Sequence, residues 1–116
     1  MSSREWMFRL KDILQAIEKI DGYLGEMTWS QFKQSEIVID AVVRNLEIIG
    51  EASKNIPPNI RRSYSEIPWK DMYGMRNILI HEYFGVDTKI VWHTAKNNLP
   101  PVQKQLERIF EDIKKS

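Results

Sequence analysis

Apolar residues return at steps of three and four along almost the whole chain, and this period is what most constrains its fold. Trp6, Leu10, Ile13, Ile17, Ile20 and Leu24 share one face, with Arg9, Lys11, Asp12, Glu18 and Lys19 between them. The pattern predicts an amphipathic helix from about Arg4 to Leu24, stopped by Gly25. Thr28 followed by Gln31 three residues later is a capping box, which opens a short turn of helix through Phe32. A long helix is predicted from Ser35 to about Asn55, closed by the Pro57-Pro58 pair. Pro58 to Ser63 reads as a short helical turn. Pro68 then opens a helix to about Phe84, with Met72, Met75, Leu79 and Tyr83 at heptad spacing and Gly85 as its stop. Asp87 or Thr88 caps a helix from Lys89 to about Asn98, which Pro100-Pro101 breaks or kinks. A last helix runs from about Val102 to Lys114 on Val102, Leu106, Ile109, Phe110 and Ile113. Strands are needed nowhere. The expectation is a single all-α domain over residues 1–116, an up-and-down bundle of four to five helices.

The long central helix has a second pattern. Asp40, Arg44, Glu47, Glu51 and Lys54 form a polar line at 4-3-4-3 spacing opposite Val38, Ala41, Val42, Ile48, Ile49 and Ala52. The line is mixed in sign. It reads either as a solvated face or as the border of a groove or subunit contact.

Composition narrows the chemistry. The 116 residues include no Cys, two His, 17 Lys+Arg and 16 Asp+Glu. A disulfide scaffold, a Cys-ligated metal and thiol catalysis are therefore excluded. The two histidines, His81 and His93, lack metal-type spacing, and the five glycines are scattered rather than gathered into a phosphate loop. The net charge of +1 is too small for coating nucleic acid by bulk electrostatics. It is also unevenly placed: residues 59–116 carry ten basic and seven acidic side chains, so an anion site fits better in that half. With no signal-peptide pattern and no long apolar run, the chain is expected to be cytoplasmic and off the membrane.

The segment from Met75 to Gly85 concentrates the candidate chemistry. It is an apolar helix carrying Arg76, Asn77, His81 and Tyr83 in its last turns. Arg76 and Tyr83 are seven apart and share one stripe, while Asn77 and His81 are four apart on the next. Arg76 and His81 are about 140° apart around the axis at ~100° per residue, so one helix does not make them a tight pair. A symmetric dimer would bring a second copy of each to the same cleft. Cleavage of RNA by its own 2′-hydroxyl needs a proton-transfer group near neutral pH and a cation on the phosphate. His and Arg supply these without a metal. The same residues also fit a plain structural role, with His81 and Tyr83 at a helix end and Arg76 in a salt bridge.

Arg76-x-x-x-x-His81-x-Tyr83 matches the R-x-x-x-x-H-x-Y motif, and the chain resembles the HepT-like toxins of the HEPN superfamily. The stretches RNLEIIGEASK (44–54), IPWKDMYGMRN (67–77), HEYFGVD (81–87), IVW (90–92) and LP (99–100) resemble that family in order and spacing, from about Met7 to Ile113. The Pro100-Pro101 doublet stands where the family more often has one Pro. The resemblance implies an all-α HEPN fold, a homodimer with a composite cleft, and metal-independent ribonuclease activity without a cofactor. It further implies the toxin role in a type VII-like toxin–antitoxin pair. The antitoxin would be an MntA-like minimal nucleotidyltransferase that transfers AMP to the motif tyrosine, Tyr83. By the same resemblance Arg76 holds the scissile phosphate, His81 moves protons, and Asn77 orients phosphate or His81.

A different class of function stays open beside it: a non-catalytic nucleotide- or substrate-binding subunit of a nucleotidyltransferase complex. The intact Arg76, His81 and Tyr83 set favours the nuclease, since a pure binding module has no need of His81. Other candidates are weaker. His93 reads as a surface or interface residue. Arg61-Arg62 with Tyr64 reads as a solvated turn or as a contact to RNA backbone. Glu47 and Glu51 sit between Arg44 and Lys54 and read as charge balance or interface. Trp6, Trp29, Trp69 and Trp92 read as core or dimer-interface anchors.

Overall fold

The computed structural model describes the backbone of residues 3–80 and 87–115, and the side chains of residues 5–76 and 87–115. Every regular element among them is helical: α1 (Ser3–Leu24), α2 (Trp29–Lys33), α3 (Glu36–Lys54), α4 (Pro58–Ser63), α5 (Trp69–Ile80), α6 (Thr88–His93), a π-helical turn (Thr94–Asn98) and α7 (Leu99–Lys115). Helix α3 is the central element, packed most extensively against α1 and α5, while α7 lies against α1.

The predicted boundaries have visible local causes. Gly25 adopts φ +49°, the left-handed conformation that ends a helix without a Cβ penalty. Thr28 Oγ1 accepts from the Gln31 N–H at 3.2 Å and Gln31 Oε1 accepts from the Thr28 N–H at 2.9 Å, which completes the capping box of α2. Ser35 Oγ caps α3 through the Val38 N–H, and Asp87 caps α6 by accepting from Lys89 and Ile90. The predicted Gly85 stop and the extension of α5 to Phe84 lie outside the described residues.

The core follows the apolar stripes. Leu10, Ile13, Ile17, Ile20 and Leu24 of α1 are buried against Val42, Leu46, Ile49 and Ala52 of α3, and Met72, Val91, Val102, Leu106 and Ile109 belong to the same cluster. Full burial of each large aliphatic side chain contributes roughly 1.5–3 kcal/mol. Two polar residues are also buried on α3. Asn45 Nδ2 donates to the Ala41 carbonyl at 2.9 Å, and Ser53 Oγ to the Ile49 carbonyl at 2.7 Å. Each is satisfied inside its own helix, so neither depends on a neighbour for a partner.

Of the break or kink expected at the Pro100-Pro101 doublet, the break is absent: no loop follows Asn98. The chain passes from α6 through the π turn into α7 with no intervening loop, and both prolines lie in the first turn of α7. A proline lacks an N–H and its ring presses on the carbonyl four residues back. The wider π turn takes up that demand: the Leu99 N–H donates to the Thr94 carbonyl, five residues back. Helix α7 restarts there, where the missing N–H groups need no partner within the helix.

The tryptophans divide in a way their spacing did not show. Trp69 is buried, and its indole N–H donates to the Tyr64 carbonyl at 3.0 Å, which ties α5 to the turn after α4. Trp29 and Trp92 are half-buried and stack around the fully buried Phe32, with ring centroids 6.4 Å and 5.1 Å from it. Trp6 packs at the edge of the core.

Candidate active site

Helix α5 carries Arg76 to a close crossing with α3. A Cβ built on Gly50 would lie 2.7 Å from the Arg76 Cβ and 3.1 Å from its backbone nitrogen. Only glycine fits there, because those atoms belong to the opposing backbone and its first side-chain carbon, not to a flexible tip. A glycine inside a long helix costs about 0.5–1 kcal/mol relative to alanine. Here the cost has a purpose: it lets the two helices touch at the motif arginine.

One residue along α3, Glu51 meets that arginine. Arg76 Nε and Glu51 Oε1 are 3.3 Å apart, with the side chains 28% and 50% exposed. An ion pair this open to water contributes about 0–1 kcal/mol. The guanidinium is thus held in place weakly, and a better anion can displace the carboxylate.

Glu51 belongs to the polar line of α3, part of which borders a groove. Arg44, Glu47 and Glu51 line a groove of about 310 Å³ with Arg9 and Asp12 of α1. Arg9 and Asp12 are themselves paired at 3.6 Å. Asp40 is exposed and does not line the groove, and Lys54 lines a different one. The line therefore borders a groove over its middle and is solvated at its start.

The remaining motif residues are placed only in part. Asn77 is on α5, immediately after Arg76, and its side chain is outside the described set. His81 and Tyr83 lie outside the described residues altogether. His93 is exposed on α6, with Nδ1 3.0 Å from Asn97 Nδ2, which agrees with the surface reading. Arg61 and Arg62 are in the last turn of α4. In the sequence Glu51 reads as charge balance or interface, with nothing to pair it with Arg76. The legible signal was Gly50, a helix-interior glycine that marks close approach of another element.

An all-helical bundle whose motif arginine sits at a helix crossing, partly open to solvent, defines a helical domain equipped to hold an anion. Comparison with known proteins gives that class its family. Residues 13–109 match the family described as Ribonuclease HepT-like. A Thermococcus cleftensis protein named Probable ribonuclease HepT is 45% identical over 100 residues, covering 86% of this chain and 91% of that one. A Methanocaldococcus jannaschii protein whose name marks it as a provisional RNase is 44% identical over 113 residues, covering 97% and 93%. A Caldanaerobacter subterraneus protein with the same kind of name is 41% identical over 105 residues, covering 90% and 94%. No solved structure matches. The chain belongs to the HepT-like ribonuclease family of the HEPN superfamily. Among the described residues, no helix is long and apolar enough to cross a membrane.

Proposed function

We propose that this chain is a metal-independent endoribonuclease, the toxin of a type VII-like toxin–antitoxin pair acting in the cytoplasm as a homodimer. The observation that carries the reading is the family match over residues 13–109, which contains the whole Arg76-x4-His81-x-Tyr83 motif. The partly exposed Arg76 and its weak pairing with the half-exposed Glu51 support it, because a cation that must receive a phosphate cannot be locked into a strong internal pair.

In this reaction the ribose 2′-oxygen attacks the adjacent phosphorus, and the bond from phosphorus to the 5′-oxygen breaks. The products are a 2′,3′-cyclic phosphate and a free 5′-hydroxyl. One proton leaves the 2′-hydroxyl and one reaches the 5′-oxygen, and His81 has the chemistry to move a proton near neutral pH. Arg76 presents a planar fork to the non-bridging oxygens, where negative charge builds, and Asn77 orients phosphate or imidazole. Arg76 and His81 come from the two subunits of the dimer cleft. Pure protein is expected to cut single-stranded RNA equally well in EDTA and in magnesium. A requirement for a divalent ion overturns the mechanism, and inertness on all RNAs tested overturns the function.

The partner in this reading is an MntA-like nucleotidyltransferase antitoxin. Its transfer joins the Tyr83 phenolic oxygen to the α-phosphorus of ATP, releasing pyrophosphate and the phenolic proton. The AMP places a bulky anion two residues from His81, and it both blocks the cleft and satisfies the cation. Tyr83→Phe is expected to keep RNA cleavage and to gain no AMP in the presence of the transferase, read by intact mass. A gain of 329 Da, about the mass of one AMP added by this chemistry, on the Phe variant sinks the assignment.

A further inference from the structure

We propose that the groove between α4, the last turn of α3 and the start of α5 is a second contact for RNA, holding backbone phosphates that flank the scissile one. The proposal rests on the ribonuclease reading for its ligand. The groove is separate from the motif: about 800 Å³, lined by Lys54, Arg61, Arg62 and Lys70 against one carboxylate, Asp71. Four cations to one anion is a strong local excess in a chain whose net charge is +1. Among the described residues, none of the four lies within 4.0 Å of a carboxylate, since the ion pairs found there are Arg9–Asp12 and Arg76–Glu51. Arg61 Nε is buried and has no acceptor among the described residues. The cations are therefore uncompensated from within, which is what a backbone phosphate requires of them.

The groove is also held rigid. Trp69, on its wall, is anchored to the Tyr64 carbonyl, and Gln105 Nε2 of α7 donates to the Glu66 carbonyl at 3.0 Å, so the α4–α5 connection is tied from both sides. A fixed frame lowers the ordering cost of binding. Its large apolar residues, Ile67 and Trp69, are buried, and this argues against a protein partner, whose affinity would need exposed anchors. Half-buried Tyr73 lines the groove and offers a ring for a base.

Position gives the groove its role. Tyr73 is three residues before Arg76 on α5, and Lys54 is three after Glu51 on α3. Each step is about 4.5 Å along its helix. A strand that places one phosphate on Arg76, in place of Glu51, has Lys54 one helical turn from that carboxylate and Lys70 six residues, about 9 Å, before the arginine on α5.

The test is the salt dependence of binding to a fluorescent, single-stranded 2′-O-methyl RNA, which the proposed chemistry cannot cleave. It compares wild type, the triple variant Lys54→Ala/Arg62→Ala/Lys70→Ala, and a control with Lys11→Ala/Lys19→Ala/Lys104→Ala. All six positions are exposed, and thermal melts check the fold. The groove variant is expected to lose about tenfold or more in affinity at low salt, and its slope of log K against log salt to flatten by about 2, at ~0.7 per phosphate released. Lys70→Ala alone is expected to flatten it by about 0.7. The control keeps the wild-type slope. Equal slopes for wild type and groove variant overturn the proposal, as does an equal loss in the control. If wild type cuts RNA while the groove variant binds unchanged, only the groove fails. If wild type neither binds nor cuts RNA, the ribonuclease reading fails with it.

Discussion

Arg76→Ala and His81→Ala are each expected to lower RNA cleavage by about 10²–10³ or more while leaving the protein folded. The magnitudes follow from two separate contributions. Removing a donor aimed at developing charge costs about 10²–10³. Removing a positioned proton-transfer group costs about 10²–10⁴. The structure says why the Arg76 variant keeps its fold. Alanine retains the Cβ that packs on Gly50, and the lost ion pair to a half-exposed Glu51 is worth no more than about 1 kcal/mol. Arg76→Lys is expected to recover only part of the rate, since an ammonium supplies charge without the planar fork. Cleavage is read on a labelled RNA in EDTA, with melting curves beside it. Either alanine variant cutting at the wild-type rate removes its residue from the reaction.

The largest effect on stability is expected at Phe32→Ala, with a loss of about 3–5 kcal/mol. Phe32 is 0% exposed on α2, a helix of five residues that cannot persist by its own hydrogen bonds. Its ring packs against both Trp29 and Trp92, which also meet each other at 6.1 Å, and so joins α2 to α6. Removing it takes the fully buried ring out of that three-ring cluster, and α2 has no other buried residue. Native domains are stable by only about 5–15 kcal/mol, so the loss is a large fraction of the whole. Ile37→Ala is the matched comparison. Ile37 is 83% exposed, and its loss is expected to change stability by less than about 0.5 kcal/mol. Urea unfolding of both variants decides the matter. A change under about 1 kcal/mol for Phe32→Ala contradicts the packing account.

Part of the candidate site is legible in the amino-acid sequence and part is not, for reasons of range. The motif is a local pattern on one helix, so Arg76, Asn77, His81 and Tyr83 are visible in the chain as written. The partner of Arg76 is not local: Glu51 is 25 positions away, and its 4-3 line with Asp40, Arg44, Glu47 and Lys54 fits a solvated face equally well. The basic groove escapes for the same reason. Arg61-Arg62 reads as a solvated turn until Lys54 and Lys70, from two other helices, are brought beside it.

The amino-acid order therefore dictates what is short-range: the helical period, the caps at Thr28, Ser35 and Asp87, the left-handed stop at Gly25, and the motif that marks the family. Each depends on hydrogen bonds or side-chain spacing within about one or two turns of helix. Packing of the helices decides the rest. It decides between the break and the kink expected at Pro100-Pro101, placing a π turn there with no loop, and it chooses Trp69 over the other tryptophans for burial. It also sets Gly50 against Arg76, so that Glu51, the next residue of α3, meets the arginine in a partly exposed ion pair. These outcomes depend on how closely two helices approach, and closeness is a property of the packed pair that neither helix carries alone.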